Sequence, residues 1–129
     1  MDEPSRPVLA LLAVLTRDTL LRTSVDLILQ THYGEQLTCS AMVAFLDARL
    51  PGRFSQATIT SLAQNINSTW TQAGYLSGRV KKIRVQPVIT PTTVTFALFL
   101  AYLEGARAQR LFESSWVRIL DISKDTNGL

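Results

Sequence analysis

Apolar and polar positions alternate along the chain with mostly helical spacing. From Val8 to about Leu29, Leu11, Leu12, Leu15, Thr19 and Arg22 are spaced by three and four, and Val25, Ile28 and Leu29 continue the apolar side. This predicts one long helix, ended by Thr31–Gln36 with Gly34 at its centre. Met1–Pro7 is polar, contains Pro4 and Pro7, and reads as a frayed lead-in. Ser40 is the expected cap of a second helix, whose Ala41, Phe45 and Ala48 share one side with Met42, Leu46 and Arg49 beside them, and Pro51-Gly52 stops it. Ser55 caps a third helix, Gln56 to about Ala73, with an apolar stripe of Ile59, Leu62, Ile66, Trp70 and Ala73. Its other side carries Thr58, Ser61, Gln64, Asn65, Ser68, Thr69 and Gln72, and Gly74 breaks it.

The segment Arg79–Val85, between Gly78 and Pro87, is rich in β-branched residues and predicts a strand. With a two-residue period, Lys81, Ile83 and Val85 share one face and Val80, Lys82 and Arg84 the other. The imperfect alternation suits a short or edge strand, where lysines and arginines discourage pairing with other chains. Thr90-Pro91 opens a helix to about Glu104 that is apolar nearly all round and therefore expected to be the central buried element. A shorter helix around Arg107–Phe112 follows, then a last turn or two after Ser114 or Ser115. There Trp116, Ile119 and Leu120 anchor the C-terminal segment, with the indole nitrogen satisfied nearby. The tail Ser123–Leu129 reads as loose.

Composition narrows the function classes. With 129 residues, the chain suits a single domain, 1–129. One cysteine and one histidine exclude a disulfide scaffold and leave no basis for a thiolate or histidine-rich metal site. Cys39 follows His32 by seven residues across a loop and reads as inert; Asp18 and Asp26 read as surface charges. No glycine pattern fits a phosphate or dinucleotide loop, so no enzyme activity, cofactor or metal is expected. The longest apolar runs, Val8–Leu15 and Phe96–Leu103, fall short of a spanning helix and no signal peptide is evident; the expectation is a cytoplasmic protein without a membrane span.

Charge placement carries more than its total. The net charge is +3, yet between Asp47 and Glu104 stand six basic residues, Arg49, Arg53, Arg79, Lys81, Lys82 and Arg84, and no acidic one. A helix, a polar-faced helix, a glycine turn and a basic strand in that order suit a winged helix-turn-helix. The expected fold class is thus a mainly α, helical domain with a winged helix-turn-helix-like centre at about 38–90, a short β strand or hairpin, and C-terminal packing helices at about 91–121. In that reading, Arg53, Arg79, Lys81, Lys82 and Arg84 meet phosphates of double-stranded DNA, while Thr58, Ser61, Gln64, Asn65 and Gln72 approach a groove. The plainer alternatives are a solvated helix face and an ordinary edge strand. A second basic group, Arg107, Arg110 and Arg118, lies among Glu104, Glu113 and Asp121; local ion pairs satisfy it, and a partner-protein surface is its functional alternative.

An ordered series of short segments resembles the BrxA family of the BREX bacteriophage-exclusion systems. The segments are Leu15-Thr16-Arg17-Asp18-Thr19-Leu20-Leu21-Arg22, Thr69-Trp70-Thr71-Gln72-Ala73-Gly74-Tyr75-Leu76 and Lys81-Lys82-Ile83-Arg84-Val85-Gln86-Pro87. The fourth is Leu111-Phe112-Glu113-Ser114-Ser115-Trp116-Val117-Arg118-Ile119-Leu120-Asp121. The resemblance covers about Val8–Asp121. It implies a mainly helical, non-enzymatic protein that binds double-stranded DNA beside other BREX components, with Lys81, Lys82 and Arg84 in a basic wing. Family members are longer, with helices before the segment that Val8 opens. The resemblance thus also implies an exposed apolar side on the first helix, open to homodimer formation or docking. A helical adaptor that recruits a defence-complex protein without touching DNA is the competing reading.

Overall fold

Asp18 divides the first amphipathic stretch. Its backbone is extended and its carboxylate accepts the Leu21 backbone N–H at 2.9 Å, an N-cap that starts a new helix. In place of one long helix there are α1 (Arg6–Leu15) and α2 (Thr19–Gln30). The link between them is less than one turn long, so the apolar spacing passes through it unbroken and hides the corner. The computed structural model describes residues 3–111 and 113–121, with the Gln109 side chain also outside the description. Phe112 and the expected loose tail from Ser123 therefore lie outside the described residues.

The other elements are β1 (Gln36–Leu37), α3 (Cys39–Arg49), α4 (Gln56–Ala73), β2 (Leu76–Ser77), β3 (Lys82–Arg84), α5 (Pro91–Leu103) and α6 (Ser115–Leu120). Thr38, rather than Ser40, caps α3 by accepting the Ala41 N–H at 3.0 Å. Ser55 caps α4 as its sequence indicates, and Gly74, at φ +93°, closes it in the left-handed conformation that glycine adopts without strain. Thr90 and Thr93 form a reciprocal capping box at the start of α5. Glu3–Ser5 is a 3-10 turn whose buried Ser5 hydroxyl meets the Thr90 hydroxyl at 2.5 Å, so the lead-in is pinned rather than frayed there. Ala108–Leu111 is likewise a 3-10 turn where a short helix is expected.

The result is a mainly helical fold with a small antiparallel sheet in the order β1-β3-β2. Gln36 faces Ile83 and Leu37 faces Lys82 on one side of β3; Leu76 faces Arg84 and Ser77 faces Ile83 on the other. The basic strand is thus the central strand and not an edge. It is also shorter than the sequence suggests, because Arg79–Lys81 form the turn that precedes it.

The core gathers around α4. Ile59, Ala63, Ile66, Trp70 and Ala73 are buried, and the helix packs on α1, α3 and β2. Ala63 and Asn67 join the inner stripe, while Leu62 is only half-buried. The Trp70 indole donates to the Ser24 hydroxyl at 2.8 Å and meets the Tyr75 ring edge-on, 4.9 Å between centroids. The expected central element, α5, is peripheral. It buries Thr93, Ala97, Leu100 and Ala101 but leaves Phe99 53%, Tyr102 50% and Leu103 63% exposed. Trp116 is buried as expected, yet its Nε1 has no hydrogen-bond partner among the described residues; the Arg22 guanidinium lies over its ring at 4.6 Å. Among the described residues, no helix is long and apolar enough to cross a membrane.

The corner at Asp18 is testable. Asp18→Ala is expected to lower unfolding free energy by about 1 kcal/mol in urea titrations, whereas Asp18→Asn, an equally good cap, stays near wild type. Equal loss from both substitutions would remove the cap from the account.

Candidate nucleic-acid interface

Helices α3 and α4 are joined by the six-residue connection of residues 50–55. Because the buried stripe points α4 toward α1 and α3, its opposite side faces solvent. Thr58, Ser61, Gln64, Asn65 and Gln72 are all exposed, and no carboxylate stands on that helix. Thr58 is partly committed to the cap, since its hydroxyl accepts from Ser55 at 2.9 Å. Gln72 sits toward the far end, lining a cleft with Glu3, Arg6 and Thr69. Asn67 escapes the polar side altogether: it is buried and its Oδ1 has no partner among the described residues.

The six cations of the acid-free interval divide sharply. Arg49 donates to Asp26 at 3.3 Å. Arg84 leaves the candidate surface completely, being 1% exposed. Its Nε donates to the Ile28 carbonyl at 3.0 Å, Nη1 to the Tyr75 carbonyl at 3.3 Å and to that of Val85, and Nη2 to Asp121 at 2.5 Å. The guanidinium also lies 5.0 Å from the Tyr33 ring and 5.4 Å from that of Tyr75. Arg84 shares the strand's inward pleat, and each of its three nitrogens donates inside the fold; the assignment as a phosphate contact is corrected on that ground. Beside it, Tyr75 donates to the Ile119 carbonyl at 2.8 Å, and burial pushes its phenol above the usual range against the pull of Arg84.

Arg53, Arg79, Lys81 and Lys82 remain, none with a carboxylate partner among the described residues. Arg53, in the turn before α4, is exposed and its guanidinium lies 5.6 Å from the Phe54 ring. Arg79 and Lys81 are exposed in the turn between β2 and β3. Lys82 is half-buried, and its Nζ reaches back to the Gly78 carbonyl at 2.9 Å. Cations therefore stand in the turn before the polar-faced helix and in the hairpin after it.

The second basic group is more occupied. Arg118 donates to Asp26 at 2.6 Å. Arg107 donates to the Tyr102 and Ala106 carbonyls at 2.9 and 2.8 Å and stacks on the Tyr102 ring at 3.9 Å. Arg110 is exposed. The local acidic residues do not provide these contacts: Arg118 reaches across the fold to α2, a partner that spacing along one helix does not indicate.

His32 lies in the exposed turn after α2, and Cys39 is half-buried in the first turn of α3. The cleft at Cys39, about 350 Å³, is lined by Ser40, Asp47, Gln56 and Thr60 among others, without His32. Among the described residues, no group of three or more His, Cys, Asp or Glu side chains is placed to hold a metal ion. No family model matches the chain, and no curated protein or solved structure matches it significantly.

Two outcomes follow from these placements. Arg84→Met is expected to lose about 3–5 kcal/mol of unfolding free energy, because it removes the charge partner of the partly buried Asp121 carboxylate and leaves three carbonyls without their donor. Lys81→Ala, at an exposed site, should stay within about 0.5 kcal/mol. Similar small losses at both positions would return Arg84 to the surface.

Asp26 supplies the second outcome. Hydrogen bonds from Arg118 and then Arg49 hold its carboxyl below the ordinary 3.8, against the opposing effect of burial. A depressed folded value means that the stabilisation is complete above the unfolded value and fades as pH falls through the folded one. The difference in urea midpoint between wild type and Asp26→Asn should therefore be constant near neutrality and shrink below about pH 4. A difference that grows on acidification contradicts this assignment.

Proposed function

We propose that this protein is a winged helix-turn-helix that binds double-stranded DNA through its phosphates, as a non-enzymatic accessory protein in bacterial anti-phage defence. The observation that carries the reading is the chain order α2-β1-α3-α4-β2-β3 on a sheet ordered β1-β3-β2. That order makes α3 the supporting helix, α4 the presented helix and the β2–β3 hairpin a wing. An α-helix fits the major groove, and cations beside it fit the phosphate rows. The uncharged donors of α4 suit both phosphates and base edges, which favours weak sequence selectivity. The link to phage defence, and to BREX components as partners, rests on the sequence resemblance.

Arg53, Arg79, Lys81 and Lys82 set the magnitude. If each neutralises one phosphate, the logarithm of the binding constant falls against the logarithm of salt with a slope of about −3 to −4. Joint replacement of Arg79, Lys81 and Lys82 by Ala should reduce that slope by about 2 to 3 and weaken all duplexes alike. Anisotropy titrations at several salt concentrations check both numbers. Salt-independent binding, no binding, or an unchanged slope in the triple variant would falsify the assignment.

One observation favours a second reading, a helical adaptor. Between α1 and α5 runs an open apolar groove of about 810 Å³, lined by Leu9, Ala10, Ala13, Phe96 and Phe99 among others. Exposed apolar area of this kind suits a protein partner. It lies apart from Arg107 and Arg118, whose internal bonds make them a poorer docking surface.

A further inference from the structure

Val80 is 93% exposed, while its chain neighbours Arg79 and Lys81 are exposed cations. It stands in the turn of the β2–β3 hairpin, and that turn is tightly held. Gly78 has φ +113°, and a Cβ there would come 2.1 Å from the Lys81 carbonyl oxygen, so the backbone closes on itself where only glycine fits. Lys82 braces the turn by donating to the Gly78 carbonyl at 2.9 Å. At the base, the Arg84 backbone N–H donates to the Glu35 carbonyl at 2.9 Å, and the Gly34 N–H donates to the Arg84 carbonyl at 2.8 Å. The Arg84 side chain is locked into the core. A stiff β-branched side chain is thus held out on a narrow mount between two cations, with no carboxylate paired to either among the described residues.

Phosphate attraction alone explains the cations and not the valine. An apolar tip with cations beside it fits the minor groove of a duplex. The groove is about 6 Å wide, too narrow for a helix but open to a hairpin tip, and has phosphates along both rims. Apolar side chains wedge against base steps there, and a narrow A·T-rich groove concentrates the negative potential that draws Arg and Lys. A hairpin that follows a helix lying in the major groove has the neighbouring minor groove beside it.

Building on the duplex-binding reading, we propose that Val80 is the wing's minor-groove contact, with Arg79 and Lys81 on its rims. The protein therefore prefers duplexes whose minor groove carries no guanine amino group.

The test uses the full chain and three short duplexes of equal length and purine–pyrimidine order, built from A·T, G·C or inosine·C pairs. Inosine·C has the major-groove pattern of G·C but lacks the minor-groove amino group, so it isolates the groove being read. A·T and inosine·C are expected to bind at least about fivefold tighter than G·C. Val80→Ser should reduce that preference to less than about twofold while the salt slope stays as in wild type, and Val80→Ile should retain it. Because the side chain is exposed, circular dichroism is expected to show both variants folded. Inosine·C binding like G·C, or a preference that survives Val80→Ser, overturns the minor-groove contact. Equal, salt-sensitive binding to all three duplexes overturns it too and leaves the duplex-binding reading standing. Absence of salt-sensitive binding to any duplex overturns both.

Discussion

The burial of the Arg84 guanidinium is the constraint on which the rest of the arrangement depends. A charge taken from water must recover its hydration inside the fold, and a single carboxylate does not supply enough acceptors for a guanidinium. Arg84 finds the others in backbone: the last turns of α2, the residue after the α4 C-cap, and its own strand. Asp121 comes from the end of α6. Four separate parts of the chain therefore have to be in place before the group is satisfied. Tyr33, which also donates to Asp121 at 2.8 Å, and Tyr75 close over it. The base of the hairpin is thereby tied to α2, to the end of α4 and to α6, and a hairpin tied in this way can hold a side chain at a fixed place beside α4.

Local signals made much of the fold legible, and non-local ones hid the rest. The start and end of α4, the Thr90-Pro91 start of α5 and the Ser114 cap of α6 depend on one or two neighbouring residues, and each falls where the sequence indicates. The corner at Asp18 also has a local cause, but the uninterrupted apolar spacing outweighs a single capping residue. The two-residue strands β1 and β2 carry no periodicity to detect; they exist because β3 offers both its edges. Hydropathy placed α5 at the centre because nearly every residue in it is apolar. The centre instead belongs to α4, whose small Ala63 and Ala73 let neighbouring helices approach closely while Trp70 fills the space between them. An amphipathic helix can be more central than an apolar one when its buried face meets more of the fold.

The candidate site was legible as a region and not residue by residue. The absence of carboxylates from α4 and the hairpin can be read directly, and Thr58, Ser61, Gln64, Asn65 and Gln72 all reach solvent. Nothing in the run Arg79–Arg84 marks its last member as internal. The two-residue period placed Arg84 on one face with Lys82 and Val80; which face turns inward is decided by α2 and α6, distant in sequence. Asp26 is similar, since its partners Arg49 and Arg118 come from two other helices.

The choice between Arg and Lys along the hairpin follows from this division. Arg84 has to reach acceptors in three directions within one plane, which a guanidinium does with a fixed fork and a lysine ammonium, a compact point charge on a flexible stem, does not. Lys82 needs only one bond, to the Gly78 carbonyl, and retains donors for solvent or phosphate. Lys81, exposed and unbraced, keeps its side-chain freedom. The +6 interval therefore divides: Arg84 is paired with Asp121 inside the fold, Arg49 shares Asp26 with Arg118, and Arg53, Arg79, Lys81 and Lys82 have no carboxylate partner among the described residues. Ion pairing within the fold makes the field offered to an anion smaller than the count of six suggests. It is also better placed, because the Arg84–Asp121 pair holds the hairpin that carries Arg79, Lys81 and Lys82.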